Sequence, residues 1–349
     1  MAESHAAPRR RQPVTMKAVA EHAGVHVSTV SRALSESAAG VSPEVVARIR
    51  EIARELGYQP NAAAASLRTR RTRGVGVVVP RLTDAVLATI FEGIDSHATD
   101  NGYQAVVAST GDNPDERCRR LRLLGRRIDG LIVGDAHLSD DSLAAIADSG
   151  MPFVLVNRRA AGRVSVTCAD ERGGRLVGRH FLDLGHRRIG IAGGHPWAST
   201  AMDRADGCRA ELAEHGVRIP DPYVLHYGFD VDCGRRAGEA LLDLDPRPTA
   251  IFAVNDYSAL GVMAAMRDRG LVPGRDIAVA GFNDTDIARQ LTIPLTSVDS
   301  SPHRMGQIAA ETLLHLLAGK EATSVELAPV LRVRASTTGG TGAGGREQG

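Results

Sequence analysis

The chain has 349 residues, of which 43% are hydrophobic and only 3% aromatic; this exceeds one ordinary core and suits helix-on-sheet α/β layers better than an aromatic β-sandwich. Its four cysteines, Cys118, Cys168, Cys208 and Cys233, lie far apart without a Cys-x-x-Cys pair, which argues against a disulfide scaffold or a cysteine-held metal and fits a reduced, cytoplasmic setting. The net charge of +1 conceals a division: residues 1–73 hold 12 Lys and Arg against 6 Asp and Glu, net +6, which leaves −5 on the remainder.

Residues 1–14 carry Arg9, Arg10 and Arg11 with no apolar run after them, so a disordered basic tail is expected in place of a secretion signal, and no membrane partner is expected. Thr15 then suits an N-cap, with Met16, Val19 and Ala20 on one helical face. Gly24 permits a tight turn and Val25 plugs the space beneath it. A second helix from about Val27 to Leu34 packs through Val30, Ala33 and Leu34. Its exposed start is short or polar: His26, Val27, Ser28, Thr29, Ser31 and Arg32. Short side chains at a helix start can enter a DNA major groove. Arg32 is the candidate for a guanine edge, Val27 for a thymine methyl, and the hydroxyls of Thr15, Ser28, Thr29 and Ser31 for phosphates. A third helix opens at Ser42-Pro43-Glu44, with Ser42 as its cap and an apolar stripe of Val45, Ile49, Ile52, Ala53 and Leu56. These features predict a basic helix-turn-helix unit over residues 15–60.

The run VTMKAVAEHAGVHVSTVSRAL, followed by VSPEVVARIREIARELGYQPNAAAASLRT, closely resembles the lactose/galactose repressor (LacI/GalR) family, and the likeness continues to about residue 336. One departure is Ser35-Glu36, where the family usually has Asn-Gly. The resemblance implies a hinge over residues 61–73 that folds on the operator, with Asn61 at its start and Leu67 wedged into the minor groove. Two such hinges imply a homodimer on a near-palindromic double-stranded DNA operator. Arg68, Arg70, Arg71 and Arg73 read as phosphate anchors.

From residue 74 to 336, β-branched runs alternate with amphipathic helical stretches, the rhythm of parallel sheets. Strands are predicted at Val75–Val79, Gly130–Val133, Phe153–Val156, Ile189–Ala192, Ala250–Val254 and Ile277–Ala280. Ligands of such sheets bind beyond the carboxyl ends of the strands, where Asn157, Asn255 and Asn283 fall. The family resemblance implies a two-lobed parallel-sheet sensor like a periplasmic sugar-binding protein. It marks Arg204 by its Arg-x-x-Gly spacing as the effector-binding arginine and Phe229 as the aromatic against a sugar face. Amides and a guanidinium suit a hydroxyl-rich effector, a sugar or a sugar derivative.

Two departures bear on that effector. Asp84-Ala85-Val86-Leu87 stands where relatives have Asn-Pro and two aromatics, and Asn283 stands where many have Asp. Removal of that carboxylate from beside Arg204 predicts a neutral or anionic ligand. Trp197, the one tryptophan, lies at a strand end, either at the cleft mouth or in packing. No Walker loop, Gly-x-Ser-x-Gly elbow or His-Glu-x-x-His helix occurs, so neither an enzyme, a cofactor nor a metal site is expected. Thr337 to Gly349 is Gly/Thr-rich and reads as a disordered tail.

Overall fold

The computed structural model describes residues 14–34, 38, 40–58 and 71–339, in two units divided after Thr72. Ser35-Glu36, the hinge residues Asn61 and Leu67, and residues 340–349 lie outside the described residues.

The first unit holds helices α1 (Met16–Ala23), α2 (Val27–Ala33) and α3 (Pro43–Glu55). Thr15 Oγ1 accepts from the Ala18 amide at 3.3 Å, and Gly24 closes α1 in the left-handed conformation, φ 64°. Val19, Ala20, Ala23, Val30, Ala33, Val46, Ile49 and Ala53 form the core, with Val25 half-buried against it. In α3 the buried valine is Val46, and Val45 is only half-buried. Two caps differ from expectation. His26 caps α2, its Nδ1 accepting from the Ser28 amide at 3.3 Å. Ser42 precedes α3 but its hydroxyl makes no capping bond.

The second unit is built from two six-stranded sheets. In chain order its elements are β1 (Gly74–Val79), α4 (Ala85–Asp100), β2 (Gln104–Ser109), α5 (Pro114–Leu124), β3 (Gly130–Val133), α6 (Ser142–Asp148), β4 (Phe153–Val156), β5 (Ser165–Cys168), α7 (Asp170–Asp183), β6 (Ile189–Gly193) and α8 (Ser199–Glu214). They continue with β7 (Val224–His226), α9 (Val231–Leu242), β8 (Ala250–Ala253), α10 (Asp256–Asp268), β9 (Ala278–Phe282), α11 (Asp286–Gln290), β10 (Thr296–Asp299), α12 (Pro302–Leu317), β11 (Val325–Leu327), β12 (Val330–Arg332) and α13 (Ala335–Thr338).

The first lobe has strand order β11-β5-β4-β3-β1-β2 and the second β12-β10-β9-β8-β6-β7. All neighbours are parallel except β10 and β12. Strands such as β1 and β8 are buried along their whole length, as continuous apolar runs covered on both faces must be. The chain passes between lobes three times, after β5, after β10 and after β11. The predicted strands all form. The last is shifted to Ala278–Phe282, which places Asn283 directly at its carboxyl end.

At the first crossover α7 and α8 pack at backbone contact. A Cβ on Gly174 would lie 2.0 Å from the Arg204 carbonyl oxygen, and one on Gly207 would lie 2.0 Å from that of Glu171. These glycines fix the position of α8, and with it Arg204.

The disordered tail expected from Thr337 is corrected by the fold. Thr337 is buried, its hydroxyl 2.7 Å from that of Thr296 and 2.9 Å from His180 Nε2. Ser336 Oγ donates to the Val279 carbonyl at 2.6 Å and accepts from the Thr296 amide at 2.8 Å. Hydroxyls that look like linker composition are here satisfied against β9 and β10, so the chain is pinned through Thr338.

The helix contact yields a prediction. Gly174→Ala forces α7 and α8 apart and lowers the unfolding free energy by about 1–3 kcal/mol, as overpacking of a tight interface does; urea denaturation of the full chain measures it.

Candidate functional site

Two regions carry the candidate residues. In the first unit, Val27 is 37% exposed, Ser28 and Arg32 are exposed, and Thr29 and Ser31 are half-buried along the same helix. The structure therefore presents Val27, Ser28 and Arg32 together at the open face of α2. Arg32 Nε donates to the Ser28 carbonyl at 3.3 Å, which lays the guanidinium back along the helix. Thr15 uses its oxygen as a cap acceptor, yet a hydroxyl keeps its proton to donate to a phosphate. Ser28 Oγ sits 2.8 Å from His26 Nδ1, a pairing that the sequence did not signal. Asn61 and Leu67 lie outside the described residues.

In the second unit, Asn157, Arg204, Phe229 and Asn255 line one cleft between the lobes, with Arg81, Asp84, Asp112, Arg158 and Thr200. Asn157 follows β4 with φ 64°, and its side-chain amide has no hydrogen-bond partner among the described residues. Asn255 is fully engaged: its Oδ1 caps α10 at the Ser258 amide, 2.8 Å, and its Nδ2 donates to the Phe229 carbonyl, also 2.8 Å. It holds the ring-bearing loop in place.

Arg204 is buried. Nε donates to Asp170 at 2.7 Å, Nη1 to the Val254 carbonyl at 2.8 Å, and the guanidinium lies 3.8 Å from the centroid of the Phe282 ring. Burial pushes the Asp170 carboxyl up to about 6, against the pull of Arg204. The expectation of an arginine without a carboxylate neighbour is thus corrected: Asp170, the first residue of α7, supplies one.

From the first lobe, Arg158 grips Asp112 with two bonds, 2.6 and 3.0 Å, and lies 5.7 Å from the Phe229 centroid of the opposite lobe. Burial opposes ionisation of Asp112, but Arg158, His137 and the Trp197 indole outweigh it and hold the carboxyl below its ordinary range. Asp84 caps α4 through the Val86 amide at 3.0 Å, and burial pushes its carboxyl up. Arg81 reaches Asp230 across the lobes at 3.3 Å. The cavity left inside is about 40 Å³.

Asn283 is not brought into this group. It lines an adjoining chamber of about 860 Å³ with Tyr257, Asp284, Asp299, Arg332 and Arg334, separated by the first turn of α4, and its Oδ1 accepts from Ser300 Oγ at 3.2 Å. Asp112, Arg158, Thr200 and Asp170 were missed in the sequence. Arg158 had a signal, since it follows Asn157 at a strand end; Asp112 had none, because the half-exposed β2 before it was not recognised.

Burial pushes the thiols of Cys168 and Cys208 up to about 12, so neither is a nucleophile at neutral pH. Among the described residues, no group of three His, Cys, Asp or Glu is placed to hold a metal ion, and no helix is long and apolar enough to cross a membrane.

Comparison with known proteins places both regions. Residues 15–61 match the family described as bacterial regulatory proteins, lacI family, and residues 179–337 match a periplasmic binding protein-like domain. The ribose operon repressor of Haemophilus influenzae is 31% identical, over 86% of this chain and 91% of its own length. The transcriptional repressor PurR of Photobacterium profundum is 29% identical, over 92% and 98%. A crystal structure of the Lac repressor dimer bound to operator and the anti-inducer ONPF superposes with a TM-score of 0.85 at 27% identity, covering 94% of this chain and 100% of that one. With a relative above 30% identity aligned over nearly its whole length, the chain belongs to the LacI family of bacterial regulatory proteins.

Proposed function

We propose that the protein is a dimeric transcriptional repressor, acting in the cytoplasm, whose affinity for a near-palindromic operator is set by a small hydroxyl-rich effector in the interlobe cleft. The observation that carries this reading is the meeting of Asn157, Arg204, Phe229 and Asn255 at the carboxyl ends of strands from both lobes, in a chain whose first unit is a helix-turn-helix. The Lac repressor, bound as a dimer to operator with a ligand, supports the same assembly for this chain.

The wall chemistry narrows the ligand. Arg81, Arg158 and Arg204 are each paired, with Asp230, Asp112 and Asp170, which leaves no unpaired arginine on the wall to attract an anion, and Asp84, the remaining wall carboxylate, is committed to capping α4. That favours a neutral polyol such as a sugar, its hydroxyls bonded by the Asn157 amide, Thr200 and the Arg158–Asp112 pair, with one face on Phe229. A cavity of about 40 Å³ is far below the volume of a sugar site. The lobes therefore part when the effector enters, and this movement is the differential contact through which effector and operator are linked.

DNA reading is expected from Val27, Ser28, Thr29, Ser31 and Arg32, with Thr15 on the backbone and Asn61 and Leu67 acting from the hinge. Arg32→Ala is predicted to cost about 1–3 kcal/mol of operator affinity and to relax specificity at one base pair, with the effector response kept. Binding to operator selected from random DNA, titrated by fluorescence anisotropy, measures it. An unchanged affinity removes Arg32 from the interface.

The cleft is best tested at Asn157, whose side-chain amide makes no hydrogen bond among the described residues. Asn157→Gly, which keeps the backbone at φ 64° without strain, is expected to weaken the effector by about 1 kcal/mol, roughly fivefold, with stability little changed. Arg204→Ala instead leaves Asp170 buried without its partner, and should lower stability by about 3–5 kcal/mol. Calorimetric titration of a panel of sugars, sugar acids and nucleobases, beside thermal melts of both variants, separates ligand contact from scaffold.

A further inference from the structure

An aromatic and ionic ring crosses the lobes beside Phe229. From the second lobe, the loop after β6 supplies His195 and Trp197, their rings stacked at 4.3 Å and 7°. His195 meets the Phe229 ring edge-on at 5.8 Å. From the first lobe, the loop after β3 supplies His137, whose ring lies 5.7 Å from that of Trp197. His137 Nε2 is 3.4 Å from Asp112, and Asp112 is held by Arg158, which returns to Phe229. One backbone bond completes the closure: the Leu138 amide donates to the Trp197 carbonyl at 2.8 Å. Trp197 is nevertheless 40% exposed, so burial of an apolar ring does not by itself explain its place at a strand end.

We propose that Trp197 is the clasp of the interlobe cleft, a second-lobe side chain seated on His137 and Leu138 of the first lobe, whose release accompanies cleft opening. The contacts run in series. Phe229 lines the cavity, and His195 is wedged between Phe229 and Trp197. A ring inserted against Phe229 displaces His195, and the stacked indole moves with it. Other bonds cross the lobes nearby: Arg81 pairs with Asp230, both half-exposed, and Arg159 pairs with Asp203 at 2.6 and 2.9 Å while its amide donates to Ser199 Oγ at 3.0 Å; solvent-exposed ion pairs of this kind contribute little. The clasp therefore adds to these bonds in setting how readily the cleft admits a ligand. That last step rests on the cleft being the effector site; the clasp itself does not.

Trp197 is the only tryptophan of the chain, so the full-length protein reports on it directly, with acrylamide as the probe. His137→Ala, a substitution in the opposite lobe, is expected to raise the acrylamide quenching constant of Trp197 about twofold as the seat is lost and local opening increases. Trp197→Ala is expected to accelerate hydrogen exchange at the Leu138 amide by about tenfold, since that bond is protected only while the lobes are closed. An unchanged quenching constant in the first variant, or unchanged exchange in the second, overturns the clasp. If instead the effector reading is wrong, no ligand alters operator affinity while both differences persist.

Discussion

The sensor unit depends on one buried ion pair, Arg204 with Asp170. Asp170 is the first helical residue after the chain leaves β5 of the first lobe, and Arg204 comes from α8, which is held against α7 by Gly174 and Gly207. The guanidinium also reaches the Val254 carbonyl at the end of β8 and the Phe282 ring at the end of β9. One side chain thus joins the first crossover, the α7–α8 pair and two strand ends of the second lobe. Two charges removed from water are costly unless their polar atoms find partners, and here Nε of Arg204 finds Asp170, Nη1 finds the Val254 carbonyl, and the guanidinium lies over Phe282. Because the same group borders the cleft, a ligand that competes for Arg204 acts on the element that orients one lobe on the other.

A consequence concerns how the cleft can recognise anything. Of its four expected residues, Arg204 and Asn255 are committed to structure, and Phe229 is held through Asn255. Preorganisation of this kind lowers the ordering cost of binding. On the proposed reading of the cleft, discrimination among ligands falls to the less committed groups, Asn157 and Thr200, and to the Arg158–Asp112 pair.

Much of this was legible in the sequence, for identifiable reasons. The three helices of the first unit announce themselves through Thr15, Gly24 and Pro43, whose local chemistry needs no tertiary contact. The central strands do so through uninterrupted valines and isoleucines. Among the missed strands, two carry a pattern that neighbours set: β10 reads Thr-Ser-Val-Asp and is buried because the Thr296 and Ser297 hydroxyls reach the Arg334 carbonyl and Asp256, and β5 reads Ser-Val-Thr-Cys and is buried between β4 and β11. Thr337 misled in the same way. Asn157, Arg204, Phe229 and Asn255, which line one cleft, each follow a strand or keep a family spacing, and so were legible as candidates. Asp170 was not, since nothing local distinguishes an aspartate at a helix start from a surface cap; its role exists only once Arg204 arrives 34 residues later. Asn283 was placed with Arg204 by the family pattern, yet the first turn of α4 stands between their chambers.

On the proposed reading, the operator and the cleft ligand are linked through one protein equilibrium. Linkage is reciprocal: the factor by which an effector changes operator affinity must equal the factor by which operator changes effector affinity. The direct measurement is the closed cycle of four dissociation constants, taken by anisotropy for a selected operator and by calorimetry for the tightest sugar of the panel, each with and without the other. Two equal factors, both different from one, are the expected result. A sugar that binds in the cleft while leaving the operator dissociation constant unchanged would contradict it.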